Sequence, residues 1–92
     1  MKSFKEKVFL VVKNVKRGKT ITYKEVAEIA GRPNAWRVVG NTLNRNPNPI
    51  KIPCHRVIKS DGTVGGYKYG VKRKTSLLFE EGVIIKKRRV VL

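Results

Sequence analysis

Cysteine, histidine, tryptophan and methionine each occur once in the 92 residues, and carboxylates number 6 against 22 lysines and arginines. A single cysteine excludes an internal disulfide and offers no Cys-rich zinc site, so a reducing intracellular compartment and no metal are expected. No apolar run approaches the roughly 20 residues that span a bilayer. The opening stretch 1–15 is broken by Lys5, Glu6, Lys7, Lys13 and Asn14, so neither a secretory leader nor a membrane helix is expected there. The expectation is a cytosolic chain with no membrane partner, long enough for one domain around one modest core.

What is abundant is positive charge. The formal net charge of +16 is spread through every segment, and so large an excess opposes compaction by self-repulsion. A polyanionic partner is the simplest reason to keep it, and nucleic acid leads that class. An anionic membrane surface or a Lys-rich thermophilic composition are the blander accounts.

In chain order, Phe4, Val8, Val11, Val12 and Val15 recur at helical spacing, and Gly18 is expected to end that helix as a left-handed cap. Thr22-Tyr23-Lys24-Glu25 has the pattern of a capping box. It opens a short helix with Val26, Ala27, Ile29 and Ala30 on its apolar side, stopped by Gly31. Asn34 is expected to cap a second helix over Ala35–Leu43, which Asn46-Pro47 terminates. Two short helices joined by a tight turn form a helix-turn-helix layout. In the second helix Ala35 and Gly40 are small enough to let backbone approach a groove, and Arg37 would project from that surface. Asp61-Gly62 signals a hairpin turn after the active-site segment, Gly65-Gly66 and Gly70 bracket a loop around Tyr67, Lys68 and Tyr69, and Val71 to Glu81 suits a last helix capped by Gly82. The tail 83–92 looks extended, and its basic run is either a solvated cluster or a phosphate contact.

The lone cysteine and the lone histidine are neighbours in Ile50-Lys51-Ile52-Pro53-Cys54-His55-Arg56-Val57-Ile58. Most lone cysteines are small buried hydrophobes. Here Pro53 cannot continue a sheet ladder and fixes a turn just before the thiol. A free thiol is only a few per cent thiolate at neutral pH, so a nucleophilic Cys54 needs a base or a positive field, and His55 and Arg56 offer both. Adjacent residues of an extended chain point to opposite sides, so His55 would need a bridging water or a turned backbone. Its orienting acceptor must be one of Glu6, Glu25, Glu28, Asp61, Glu80 and Glu81.

Pro53-Cys54-His55-Arg56-Val57-Ile58, with Asn46-Pro47 before it and Gly65-Gly66-Tyr67 after it, resembles the active-site segment of the O6-alkylguanine-DNA alkyltransferases, the methylated-DNA–protein-cysteine methyltransferases. The match runs from Gly18 through Thr22-Tyr23, Arg37-Val38-Val39-Gly40 and Leu77-Leu78 to Glu81-Gly82, about seven tenths of the chain. The resemblance implies a small α/β, mostly helical domain with a winged-helix-like helix-turn-helix and a short extended active-site segment. The whole of residues 1–92 would be the catalytic C-terminal domain, without the additional N-terminal domain that relatives commonly carry.

It further implies a single-turnover repair protein that takes the O6-alkyl group of a flipped guanine onto Cys54. His55 would activate the thiol through a water and Glu81 would orient the imidazole. Tyr23 would turn the phosphate and donate a proton to the departing guanine, while Asn46 braces the surrounding turn. Arg37 would fill the gap in the stack, with Tyr23, Ala35, Gly40 and Asn41 also at the DNA. Tyr67 would wall the base pocket, the Lys68 amide would lie near O6, and the carbonyls of Cys54 and Val57 would read the guanine amino group. No cofactor is implied, and the partner would be duplex DNA containing O6-alkylguanine, bound by a monomer, nucleoid-associated if the source is prokaryotic. Trp36 stands where many relatives have a small residue, and inward packing is expected for it. Two other functions remain open: a non-catalytic lesion binder of the alkyltransferase-like type, and a basic helix-turn-helix regulator whose Cys-His pair is structural.

Overall fold

Thr22 sets the frame. Its hydroxyl accepts from the Glu25 amide at 3.0 Å, and Glu25 Oε1 accepts from the Thr22 amide at 3.1 Å. Two orphan donors at a helix start are thereby satisfied, for about 1 kcal/mol. In the computed structural model, which describes residues 2–91, this capping box opens α2 (Tyr23–Ile29). Before it runs α1 (Phe4–Lys13), capped by Ser3, and then the short strand β1 (Ile21–Thr22). After a turn at residues 30–35 comes α3 (Trp36–Asn44), which completes the helix-turn-helix. A 3-10 turn at Cys54–Arg56 leads into β2 (Val57–Ile58), followed by α4 (Val71–Glu80) and a hairpin of β3 (Ile85–Lys86) and β4 (Arg89–Val90).

Strand β2 pairs in parallel with β1, Ile21 opposite Val57 and Thr22 opposite Ile58. This joins the Cys-His segment to the start of α2. Val8 and Val12 of α1, Val26 and Ala27 of α2, and Val39 and Leu43 of α3 bury together with Cys54 and Val57. A second cluster of Ile58, Val64, Leu78, Val83 and Val90 lies under α4 and the hairpin. Among the described residues no helix is long and apolar enough to cross a membrane.

The structure corrects several local expectations. Helix α1 stops at Lys13, where the Asn14 side chain turns back to donate to the Leu10 carbonyl, so Gly18 serves the following turn instead. Helix α3 has Ala35 at its cap position and no side-chain cap, so Asn34 does not cap it. Ile29 is 66% exposed, because a seven-residue helix buries only the stripe through Val26 and Ala27. The tail folds back on itself as an antiparallel hairpin, Ile85 opposite Val90. Capping by left-handed Gly82 after α4 is as expected.

Gly18 has φ +83°, and a Cβ placed on it would lie 3.1 Å from the Glu81 carbonyl oxygen. Gly18→Ala should therefore cost about 1–2 kcal/mol from backbone conformation, with further loss from crowding at Glu81. A urea midpoint unchanged from the parent would show that this contact does not constrain the fold.

Candidate active site and nucleic-acid interface

Pro53 and the 3-10 turn after it position the chemistry. Arg56 N–H donates to the Pro53 carbonyl at 3.0 Å and Val57 N–H to the Cys54 carbonyl. The segment is thus turned where extension was expected. Successive side chains diverge by about 120° in such a turn, rather than alternating across a strand. Ile50 and Lys51 also lie in a turn. Asn46, fully buried, closes it: Nδ2 donates to the Ile52 carbonyl at 2.7 Å and Oδ1 accepts from the Asn48 amide at 2.9 Å.

Of the six candidate acceptors for His55, the fold brings up Glu81. His55 Nε2 lies 3.0 Å from Glu81 Oε2, off the line of an ideal N–H bond. Arg56 grips the same carboxylate with both prongs, Nε to Oε1 at 2.9 Å and Nη2 to Oε2 at 2.7 Å, while its Nη1 donates to the Val15 carbonyl. Arg56 therefore spends its charge on Glu81. Burial alone would raise the Glu81 pKa, but the bonds from Arg56 and His55 outweigh it and hold the carboxyl below its ordinary value. Burial lowers the His55 pKa below 6.5 against the opposing pull of Glu81. The imidazole is then neutral at neutral pH, and the carboxylate favours a proton on Nε2. Among the described residues buried Nδ1 has no hydrogen-bond partner, which leaves it free to accept.

Cys54 is 5% exposed and belongs to the core cluster against which Tyr23 and Tyr67 pack. A cleft of about 700 Å³ is lined by Tyr23, Lys24, Trp36, Gly40, Asn41, Asn44, Lys59, Ser60, Asp61, Gly66 and Tyr67. A smaller depression holds His55, Glu81, Tyr69 and Arg73, and Tyr67 borders both. Tyr67 meets His55 edge-on at 6.4 Å between ring centres. Burial raises the pKa of Tyr23 and of Tyr67, and a charge on Cys54 would raise both further, so both are phenols at neutral pH.

Of the residues expected at the DNA, Tyr23, Gly40 and Asn41 meet in the cleft, whereas Ala35 sits at the α3 cap and Arg37 is exposed with its guanidinium 5.1 Å from the Trp36 ring centre. Trp36 does not pack inward: it is 47% exposed and lines the cleft. The α3 stripe facing the core is already filled by Val39 and Leu43. Lys68 is exposed, and its Nζ donates to the Asn46 carbonyl at 3.2 Å.

Sequence reasoning missed Lys74. On α4 it is fully buried, and its Nζ donates to the carbonyls of Val57 at 2.5 Å and Gly66 at 3.1 Å, with the Tyr23 hydroxyl at 3.4 Å. The Val57 carbonyl, expected to face a base, is thus already engaged. Burial lowers the Lys74 pKa to about 8, although a charge on Cys54 would oppose this. A lysine within Val71–Glu80 resembles its exposed neighbours Lys72 and Arg73, and only spacing four residues before Leu78 marks it.

A family model for 6-O-methylguanine DNA methyltransferase, DNA binding domain, matches residues 3–83. The chain belongs to this methyltransferase family. Among its relatives is a methylated-DNA–protein-cysteine methyltransferase of Methanothermobacter thermautotrophicus, 51% identical over 80 residues, covering 87% of this chain and 44% of that one. The chain spans about half the length, or less, of the curated family members it matches. Among solved structures, the Mycobacterium tuberculosis OGT in complex with DNA superposes with TM-score 0.84 at 38% identity, over 89% of this chain and 50% of that one. S. pombe Atl1 in complex with damaged DNA containing O6-carboxymethylguanine gives 0.81 at 34%, over 94% and 83%.

With a folded pKa of about 8 against 10.5 for a free lysine, the unfolded chain binds more protons through that interval, so stability should rise with pH between 8 and 10.5. The full swing is on the order of 3 kcal/mol. Lys74→Met should flatten that rise, read from denaturant midpoints at pH 7.5 and 10; an equal rise in parent and variant would assign it elsewhere.

Proposed function

We propose that this chain is an alkyl-accepting DNA repair protein, residues 1–92 acting as the catalytic domain, and that Cys54 takes the O6-alkyl group of guanine in duplex DNA. The observation that carries this reading is the His55–Glu81 contact directly after the family's thiol position, with Nδ1 of that imidazole left free. The thiol proton passes to Nδ1 through a water, the sulfur attacks the alkyl carbon, and the bond from that carbon to O6 breaks. Guanine leaves once it is protonated, and the Tyr23 phenol, kept neutral by burial, is suited to donate. Lys74 sits beside that hydroxyl, and as the phenol gives up its proton the ammonium stabilises the remaining charge. The product is a thioether with no leaving group, so each molecule acts once.

Extruding a base costs a few kcal/mol, less for a weakened pair. Arg37 on exposed α3 is suited to fill the vacated stack, and Tyr67 to wall the base. Because Tyr67 borders both cavities and Cys54 lines neither, the base reaches the sulfur past that ring. The bound DNA of the structural relatives supports the partner class.

A second reading, a lesion binder without alkyl transfer, is supported by the fold shared with S. pombe Atl1 in complex with damaged DNA. Intact mass after incubation with an O6-methylguanine duplex separates the two. Transfer adds one methylene unit, lost in Cys54→Ala; tight binding with no mass gain would favour the binder. Glu81→Gln should slow single-turnover transfer at pH 7 by about 100-fold. The parent rate should fall as pH drops through the depressed His55 pKa. A rate flat below pH 6 would remove His55 as the base.

A further inference from the structure

The hairpin of β3 and β4 lies beyond the family model, which ends at residue 83, and it is built against its own stability. Lys86 faces Arg89 directly across the strands, a like-charge pairing that destabilises a ladder. The two turn residues, Lys87 and Arg88, hold φ of +51° and +66°, a region suited to Asn-Gly in a two-residue hairpin turn. No described carboxylate forms an ion pair with any of the four.

Its position is fixed. Arg89 bridges Thr63, Val90 N–H donates to the Gly62 carbonyl at 2.9 Å, and Val90 is buried in the second core cluster. Gly62 and Thr63 directly follow Lys59, Ser60 and Asp61, which form one rim of the large cleft. Arg89 and Lys59 both help to lower the Asp61 pKa, after the bonds from Thr63, which places this charge beside that rim.

We propose that the hairpin tip, Lys86 to Arg89, is a second DNA contact that grips backbone phosphates flanking the cleft, independently of the base in the pocket. Phosphate oxygens between the opposed cations relieve the repulsion that the free protein carries. This rests on the duplex-binding reading above.

Lys87→Asn/Arg88→Gly tests it, because the pair suits the turn while removing two charges. The variant should melt at a higher temperature yet bind duplex more weakly. The slope of log K against log salt should shrink by about 2, equally for undamaged and O6-methylguanine duplexes. Arg37→Ala, in contrast, should reduce the preference for the lesion. A variant that melts higher with an unchanged salt slope would overturn the proposal while leaving duplex binding intact. A parent chain with no salt-dependent duplex binding would overturn the functional reading, and this proposal with it.

Discussion

The Glu81 carboxylate is the constraint on which the site depends. It is one of only 6 acids in a chain of 22 cations, and its two oxygens receive both prongs of Arg56 and the close approach of His55. Because its partners are consecutive residues, one carboxylate at the end of α4 fixes both the rotation of the 3-10 turn and the plane of the imidazole. Arg56 extends the connection to the Val15 carbonyl, and Arg17 donates to the Glu80 carbonyl at 3.1 Å, so the segment after α1 is held to the same corner. Removing Arg56 or Glu81 leaves the other's charge partly buried without its ion-pair partner, which costs more than the pair contributes.

Lys74 plays a corresponding part between β2 and the glycine loop. An ammonium removed from water is tolerated because carbonyls from β2 and from the glycine loop point at it, and their positions are thereby set relative to Tyr23. The two charged groups thus brace the Cys-His turn and the glycine loop. Among the other titratable groups of the site are a neutral imidazole and two phenols.

How much of this was legible in the sequence depended on whether the deciding interaction was local. The capping box of Thr22 and Glu25 and the left-handed Gly82 are settled within a few residues, and both were readable. The helix-turn-helix was readable because Gly31 and the Asn46-Pro47 pair punctuate it. Glu81 came only by resemblance, since composition left six acids open. What escaped was decided at long range. Trp36 turns outward because Val39 and Leu43 already fill the stripe that α3 offers the core. Lys74 is buried because carbonyls outside its own helix await it, and only its spacing before Leu78 distinguishes it from Lys72. The tail folds back through Lys87 and Arg88, where no Asn-Gly signals a hairpin turn.

The parallel pairing of Ile21 with Val57 has a consequence for how the molecule forms. Its two partners are separated in sequence by the entire helix-turn-helix, so closing that pair carries a loop entropy cost that local helix formation does not. During synthesis, α1 to α3 emerge and can collapse before Val57 has left the ribosome. The Cys-His turn is therefore organised late, as this long-range pairing closes against an already condensed bundle.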